Sequence, residues 1–222
     1  MTRALLLLGA IAGPIYVFVV VAQVLTRDGF EITRHPVSLL SNGEYGWVQI
    51  LNFVLVGTLV LAAAAGLRRA MSGGHGVFSG PVLLALFGVG LIGSGVFIAD
   101  PANGFPPGTP AGDPVEVTTG GILHFAFGGI AFVSFAAACL VFARRYSQQA
   151  DSTMAIFSAT TGIIYLVAFV LVAATAGAAV ANILLTVAVL LGWIWLTLFT
   201  SGFVEQQPAA DDQNISPVAG GS

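Results

Sequence analysis

Few side chains in this chain can do chemistry, and they gather. His35 and Ser38 stand three residues apart in Arg34-His35-Pro36-Val37-Ser38-Leu39-Leu40-Ser41, while Asp100 and His124 stand at the ends of two apolar stretches. A serine beside a histidine is the arrangement of nucleophilic hydrolysis, in which the base draws off the hydroxyl proton. His124 suits a general base, a metal ligand or a proton acceptor. Asp100 suits the group that orients it, and Ser38 the nucleophile or a binding group. Each also has a plainer role. His124 and Asp100 can pair to fasten two helices, Asp100 can stop a helix ahead of Pro101, and His35 can cap a short helix. Zinc needs three or four well-placed ligands. His35, His124 and Asp100 are the obvious set, with Glu44 in reserve, and there is no His-x-x-x-His and one lone Cys139. No cofactor is predicted, and zinc is the alternative this set leaves open.

Four side-chain amides fall inside apolar stretches: Gln23, Gln49, Asn52 and Asn182. Placed on helices, all four come near one face of a membrane, as do Asp100, His124 and the 34–41 loop. Polar groups near lipid are costly, so a cluster at one depth is a site hypothesis. The amides can line a polar cavity or simply join helices, at about 0.6–2 kcal/mol per hydrogen bond. Arg34 offers a planar fork for a phosphate or carboxylate headgroup. Arg34, His35, Gln49 and Asn52 are therefore the expected ligand-binding set. His75, among glycines, and Cys139, among alanines, are expected to be inert.

The elements that must position these groups are membrane helices. Hydrophobic residues make up 57% of the 222 residues and charged ones 8%, against roughly 25% charged in a soluble domain. Apolar stretches at about 4–25, 47–67, 77–99, 120–143, 154–174 and 180–203 each have about the 20 residues needed to span a bilayer. The first runs on past Ala10-Ile11-Ala12 to Leu25, too far for a signal peptide. The expected fold is an all-α, polytopic six-helix bundle with both termini cytoplasmic. That orientation puts Arg3, Arg68, Arg69, Arg144 and Arg145 inside and leaves Arg27 and Arg34 outside, as the positive-inside rule asks. The net charge of −3 gives no reason for a nucleic-acid partner. Membrane lipids are the expected partners, and the cell membrane the expected location.

The loops are unequal. Those at about 26–46 and 100–119 are long, and the second holds five of the ten prolines, which predicts a stiff lid. Pro36 and Gly43 bracket a short helix over 36–42, with Ser38 and Ser41 on one face. Gly9-x-x-x-Gly13 and Ala62-x-x-x-Gly66 predict close helix packing. Residues 204–222 are expected to form a disordered cytoplasmic tail.

Several of these segments resemble one family. His35-Pro36-Val37-Ser38-Leu39-Leu40-Ser41, Gly46-Trp47-Val48-Gln49 with Asn52-Phe53, Gly95-Val96-Phe97-Ile98-Ala99-Asp100-Pro101, Gly104-Phe105-Pro106-Pro107-Gly108-Thr109-Pro110 and Leu123-His124-Phe125 are similar to the bacterial membrane proteins of domain of unknown function 998. The likeness spans the chain to about residue 203 and looks most like the actinobacterial branch, which the absence of lysine suits. It implies six helices and a Ser–Asp–His pattern, with no reaction attached. A more distant analogy is the superfamily of membrane hydrolases that includes alkaline ceramidases. That pattern has seven helices and three histidines, against six and two here. The leading expectation is a pocket on the extracytoplasmic side that binds a lipid headgroup or small amphiphile. The alternative is a membrane-embedded lipid hydrolase or transferase using His124, Asp100 and Ser38, and a small-molecule transporter is third.

Overall fold

The computed structural model describes residues 1–175 and 178–207. Among the described residues six α-helices are present: α1 Thr2–Thr26, α2 Gly46–Ala70, α3 Ser79–Val96, α4 Thr119–Gln148, α5 Ser152–Ala174 and α6 Ala179–Glu205. All six are long and apolar enough to cross a membrane. Each packs against the next in sequence, and α6 returns to α1, so the helices close into a ring. Large apolar side chains such as Phe18, Leu25, Phe125 and Val180 point outward, as a lipid-facing surface requires.

The centre of the ring is filled with aromatic rings. Tyr16 of α1 packs on Phe53 of α2 and Trp193 of α6. Phe87 of α3 meets Phe135 and Trp193, and Phe135 meets Tyr165 of α5 and Trp195. The Trp195 indole N–H donates to Ser158 Oγ at 2.8 Å, joining α6 to α5. The small-residue spacing acts as read. A Cβ on Gly9 would collide with Ala63 of α2, and one on Gly13 would meet Thr197 Oγ1 and the Trp193 carbonyl of α6. α1 thus approaches both neighbours closely, which favours dispersion where lipid removes the hydrophobic drive.

Helix bounds depart from the sequence reading at several ends. α2 and α4 run on through Arg68, Arg69 and Arg145, because a cation in the last turn meets the negative end of the helix dipole. α3 stops at Val96 rather than Ala99, and Asp100 lies in an extended link beyond it. The short helix is a 3-10 turn, Val37–Ser41, with Pro36 as its cap. Within it Ser41 Oγ donates to the Ser38 carbonyl at 2.6 Å, as the eclipsed i, i+3 geometry allows. α6 continues to Glu205, two residues into the expected tail, and 208–222 lie outside the described residues. The long loops 27–45 and 97–118 share one side of the bundle, the loop side. The 71–78 and 149–151 connections share the other, the arginine side.

Candidate functional site

The two long loops are clasped together. Phe105, fully buried, packs edge-on against Phe30 at 5.3 Å and against the His35 ring at 5.5 Å. The Arg27 guanidinium lies over the same ring at 5.3 Å. Arg27 also donates to the carbonyls of Leu40 at 3.0 Å and Asn42 at 2.5 Å, closing the end of the 3-10 turn. Burial pulls the Arg27 pKa down and Tyr45 opposes this; a guanidinium stays charged throughout. Asn42 Nδ2 donates to the Ala99 carbonyl at 3.0 Å, and Arg34 Nη2 donates to the Asn103 carbonyl at 2.9 Å.

His35 is part of this clasp and is spent on it. The Glu31 N–H donates to its Nδ1 at 2.8 Å, so that nitrogen carries the lone pair. Nε2 then holds the proton and donates to the Asn103 carbonyl at 3.0 Å. Both nitrogens are engaged and the ring is 1% exposed, so His35 as placed here has no nitrogen left to activate Ser38 or hold a metal. Ser38 is half-buried, and its hydroxyl bonds to nothing among the described residues.

His124 is placed differently. Its Nδ1 lies 3.0 Å from the Ser94 carbonyl and 2.8 Å from the Phe97 carbonyl. Two acceptors at one nitrogen mean that Nδ1 carries the hydrogen, and the ring closes the end of α3. Nε2 is left with its lone pair and no protein donor among the described residues. A histidine held by backbone carbonyls at one nitrogen and open at the other is oriented as a base or a ligand is.

Asp100 does not bond to His124. Its Oδ2 accepts the Thr118 N–H at 3.0 Å, its Oδ1 accepts the Thr118 hydroxyl at 2.5 Å, and Thr118 Oγ1 in turn accepts the Gly121 N–H at 3.0 Å. The carboxylate therefore sits on the positive end of the α4 dipole. It fits there because residue 121 is glycine; a Cβ would collide with the Asp100 carboxylate.

Three of the four amides meet. Gln23 Nε2 donates to Gln49 Oε1 at 2.8 Å, and Asn52 Nδ2 reaches Gln49 Oε1 and the Tyr16 carbonyl, each at 3.4 Å. They join α1 to α2 and are at most 5% exposed. Gln23 Oε1, Gln49 Nε2 and Asn52 Oδ1 find no protein partner among the described residues, at roughly 1–3 kcal/mol each for a dry atom. Asn182 serves elsewhere, donating to the Arg34 carbonyl at 3.0 Å and so tying α6 to the first loop.

Under the loops His35 packs directly on Phe105, and Gln23, Gln49 and Asn52 bond to one another. What opens on this side is an apolar groove of about 130 Å³ between α1 and α6. Val20, Val24, Val189 and Leu190 form its walls, and Ile32 and Val37 of the first loop close its loop-side end. Among the described residues no three of His, Cys, Asp and Glu group as metal ligands do; His35, His124 and Asp100 are not such a group. Sequence reasoning missed Arg27 and Phe105. The signals for them were an arginine one residue past a membrane helix and a phenylalanine inside the resembling run 104–110.

The fold and this side of it define a polytopic helical membrane protein with a tightly clasped double-loop cap. The family model described as Protein of unknown function (DUF998) matches residues 10–202, and the chain belongs to that family. No curated protein and no solved structure matches it.

Proposed function

We propose that the protein binds a membrane lipid or similar amphiphile on its loop side, seating an acyl chain between α1 and α6. The carrying observation is the apolar groove lined by Val20, Val24, Val189 and Leu190. A dry cavity of about 150 Å³ holds a benzene ring, so a groove of this size takes a short run of methylenes. It lies on membrane helices, where acyl chains are the solvent. Arg34, whose side chain is half exposed, stands on the loop segment that closes the groove and suits a headgroup phosphate. The arginine distribution supports a cell-membrane location, with the N-terminus in the cytoplasm and the loop side outside. The residue pattern of the family likeness favours an actinobacterial-type source.

A phospholipid carrying a photoreactive group on its acyl chain is expected to label α1 and α6 in the purified protein. Leu190→Trp fills the groove and is expected to abolish that labelling, and Arg34→Ala to weaken it. Labelling that survives Leu190→Trp unchanged counts against the groove.

One observation favours a second reading, a lipid hydrolase or transferase. It is the unengaged Nε2 of His124, a base held in place by α3, with Asp100 nearby and Ser38 as nucleophile or binding group. On this reading His124→Ala lowers lipid turnover by about 10²-fold or more, while His35→Ala lowers stability and leaves chemistry intact in the folded fraction. Turnover unchanged in His124→Ala removes the enzyme reading. The transporter reading lacks comparable support, because aromatic side chains fill the centre of the ring.

A further inference from the structure

The arginine side carries a second cavity. The 72–76 turn and the end of α4 border an open cleft of about 270 Å³, lined by Ser72, His75, Arg145, Gln148 and Gln149 with Gly73 and Gly74. Arg145 Nη1 donates to the carbonyls of Gly73 at 3.0 Å and His75 at 3.1 Å. Those bonds fix the guanidinium at the wall of the cavity and leave Nη2 and Nε to spare. The turn passes through Gly73, Gly74 and Gly76 with φ of +71°, +80° and +77°, which glycine adopts freely. The N–H groups of Gly73, Gly74, His75 and Gly76 donate to no acceptor among the described residues.

The opposite wall is the end of α4, where the carbonyls of Arg145, Tyr146 and Ser147 are closed by the N–H groups of Gln149, Ala150 and Asp151, and where the Gln148 and Gln149 side-chain amides can each turn a donor toward the cavity. No Asp or Glu lines the cavity. Its position is interfacial: α2 ends at Ala70, α3 begins at Ser79, and Phe78 beside it is 66% exposed. Arg68, Arg69 and Arg144 add positive charge on the same side.

We propose that this cavity binds a phosphate anion, presented by the headgroup of an anionic membrane lipid. The Arg145 fork supplies the charge, and the turn amides, His75 and Gln148 supply further donors around the oxygens. Free phosphate presents the same chemistry from water. His75, expected from the sequence to be inert, is the one ring on the 72–76 turn and lines the cavity.

The test uses full-length protein carrying Leu190→Trp, so that the groove on the other side is not read. Native mass spectrometry follows retention of phosphatidylglycerol against phosphatidylcholine. The parent is expected to retain phosphatidylglycerol in preference, and Arg145→Gln to weaken retention about tenfold. Because Arg145 also holds the turn, His75→Ala with Gln148→Ala provides a second variant on side chains that hold no element together, the half-buried His75 and the exposed Gln148, expected to weaken retention about fivefold with an unchanged melting temperature. Displacement of the lipid by inorganic phosphate supports the site and identifies the free anion as a ligand too. Resistance to inorganic phosphate, with release by the variants, supports it and assigns the headgroup alone. Equal retention of the two lipids by the parent, or full retention of phosphatidylglycerol by His75→Ala with Gln148→Ala, overturns the proposal.

Discussion

Phe105→Ala is expected to be among the most destabilising single substitutions in the cap, at about 3–5 kcal/mol. Phe105 is 0% exposed and touches Phe30, His35 and the Arg27 guanidinium. Unlike the membrane helices, this cap has water on one side, so burying a ring there draws on the full hydrophobic effect. Truncation leaves a cavity between the loops and removes the face over which Arg27 sits. The helices, held by their own aromatic core, are expected to persist. Hydrogen exchange in detergent is therefore expected to rise in 27–45 and 97–118 and to remain slow in α2 and α4. Exchange that rises equally everywhere would show that the cap and the bundle unfold as one unit.

Asp100→Ala is expected to lower stability by about 3 kcal/mol, since it deletes two charge-assisted hydrogen bonds and strands the Thr118 N–H at the start of α4. Asp100→Asn keeps an acceptor for one of them and is expected to cost about 1 kcal/mol. The pair of variants separates two roles that the sequence leaves equal. If Asp100 is the cap of α4, stability falls in both variants and exchange rises first at 118–124. If it orients a catalytic base, Asp100→Asn instead lowers any lipid turnover by a large factor while stability holds. The observed bonds run to Thr118 and none to His124, which favours the cap.

Two of the resembling segments meet where one long loop closes on the other, through the His35 and Phe105 rings and the His35 bond to the Asn103 carbonyl. His35 spends both nitrogens on backbone groups of the two loops. Gly43, with φ +76°, turns the chain where a Cβ would press on Pro106. Residue type reveals that a histidine is capable of base chemistry. Which of its nitrogens is free depends on carbonyls and N–H groups brought from elsewhere, and neither His35 nor His124 carries that information in its neighbours.

Six spans and their alternation were legible in the sequence, because apolar length is set by bilayer thickness and needs no partner to be read. The depth of Gln23, Gln49 and Asn52 was legible for the same reason, since rise per residue converts position into height. Their meeting was not, because it depends on which faces α1 and α2 turn to each other. Nor was the splitting of Asn182 from the other three. The tertiary structure alone decided that Asp100 bonds to Thr118 at the start of α4 and not to His124, that Arg27 and Phe105 meet in the cap, and that His124 keeps one nitrogen open. Those outcomes rest on distances of about 3 Å between segments tens of residues apart, and composition and periodicity reach only as far as a single helix.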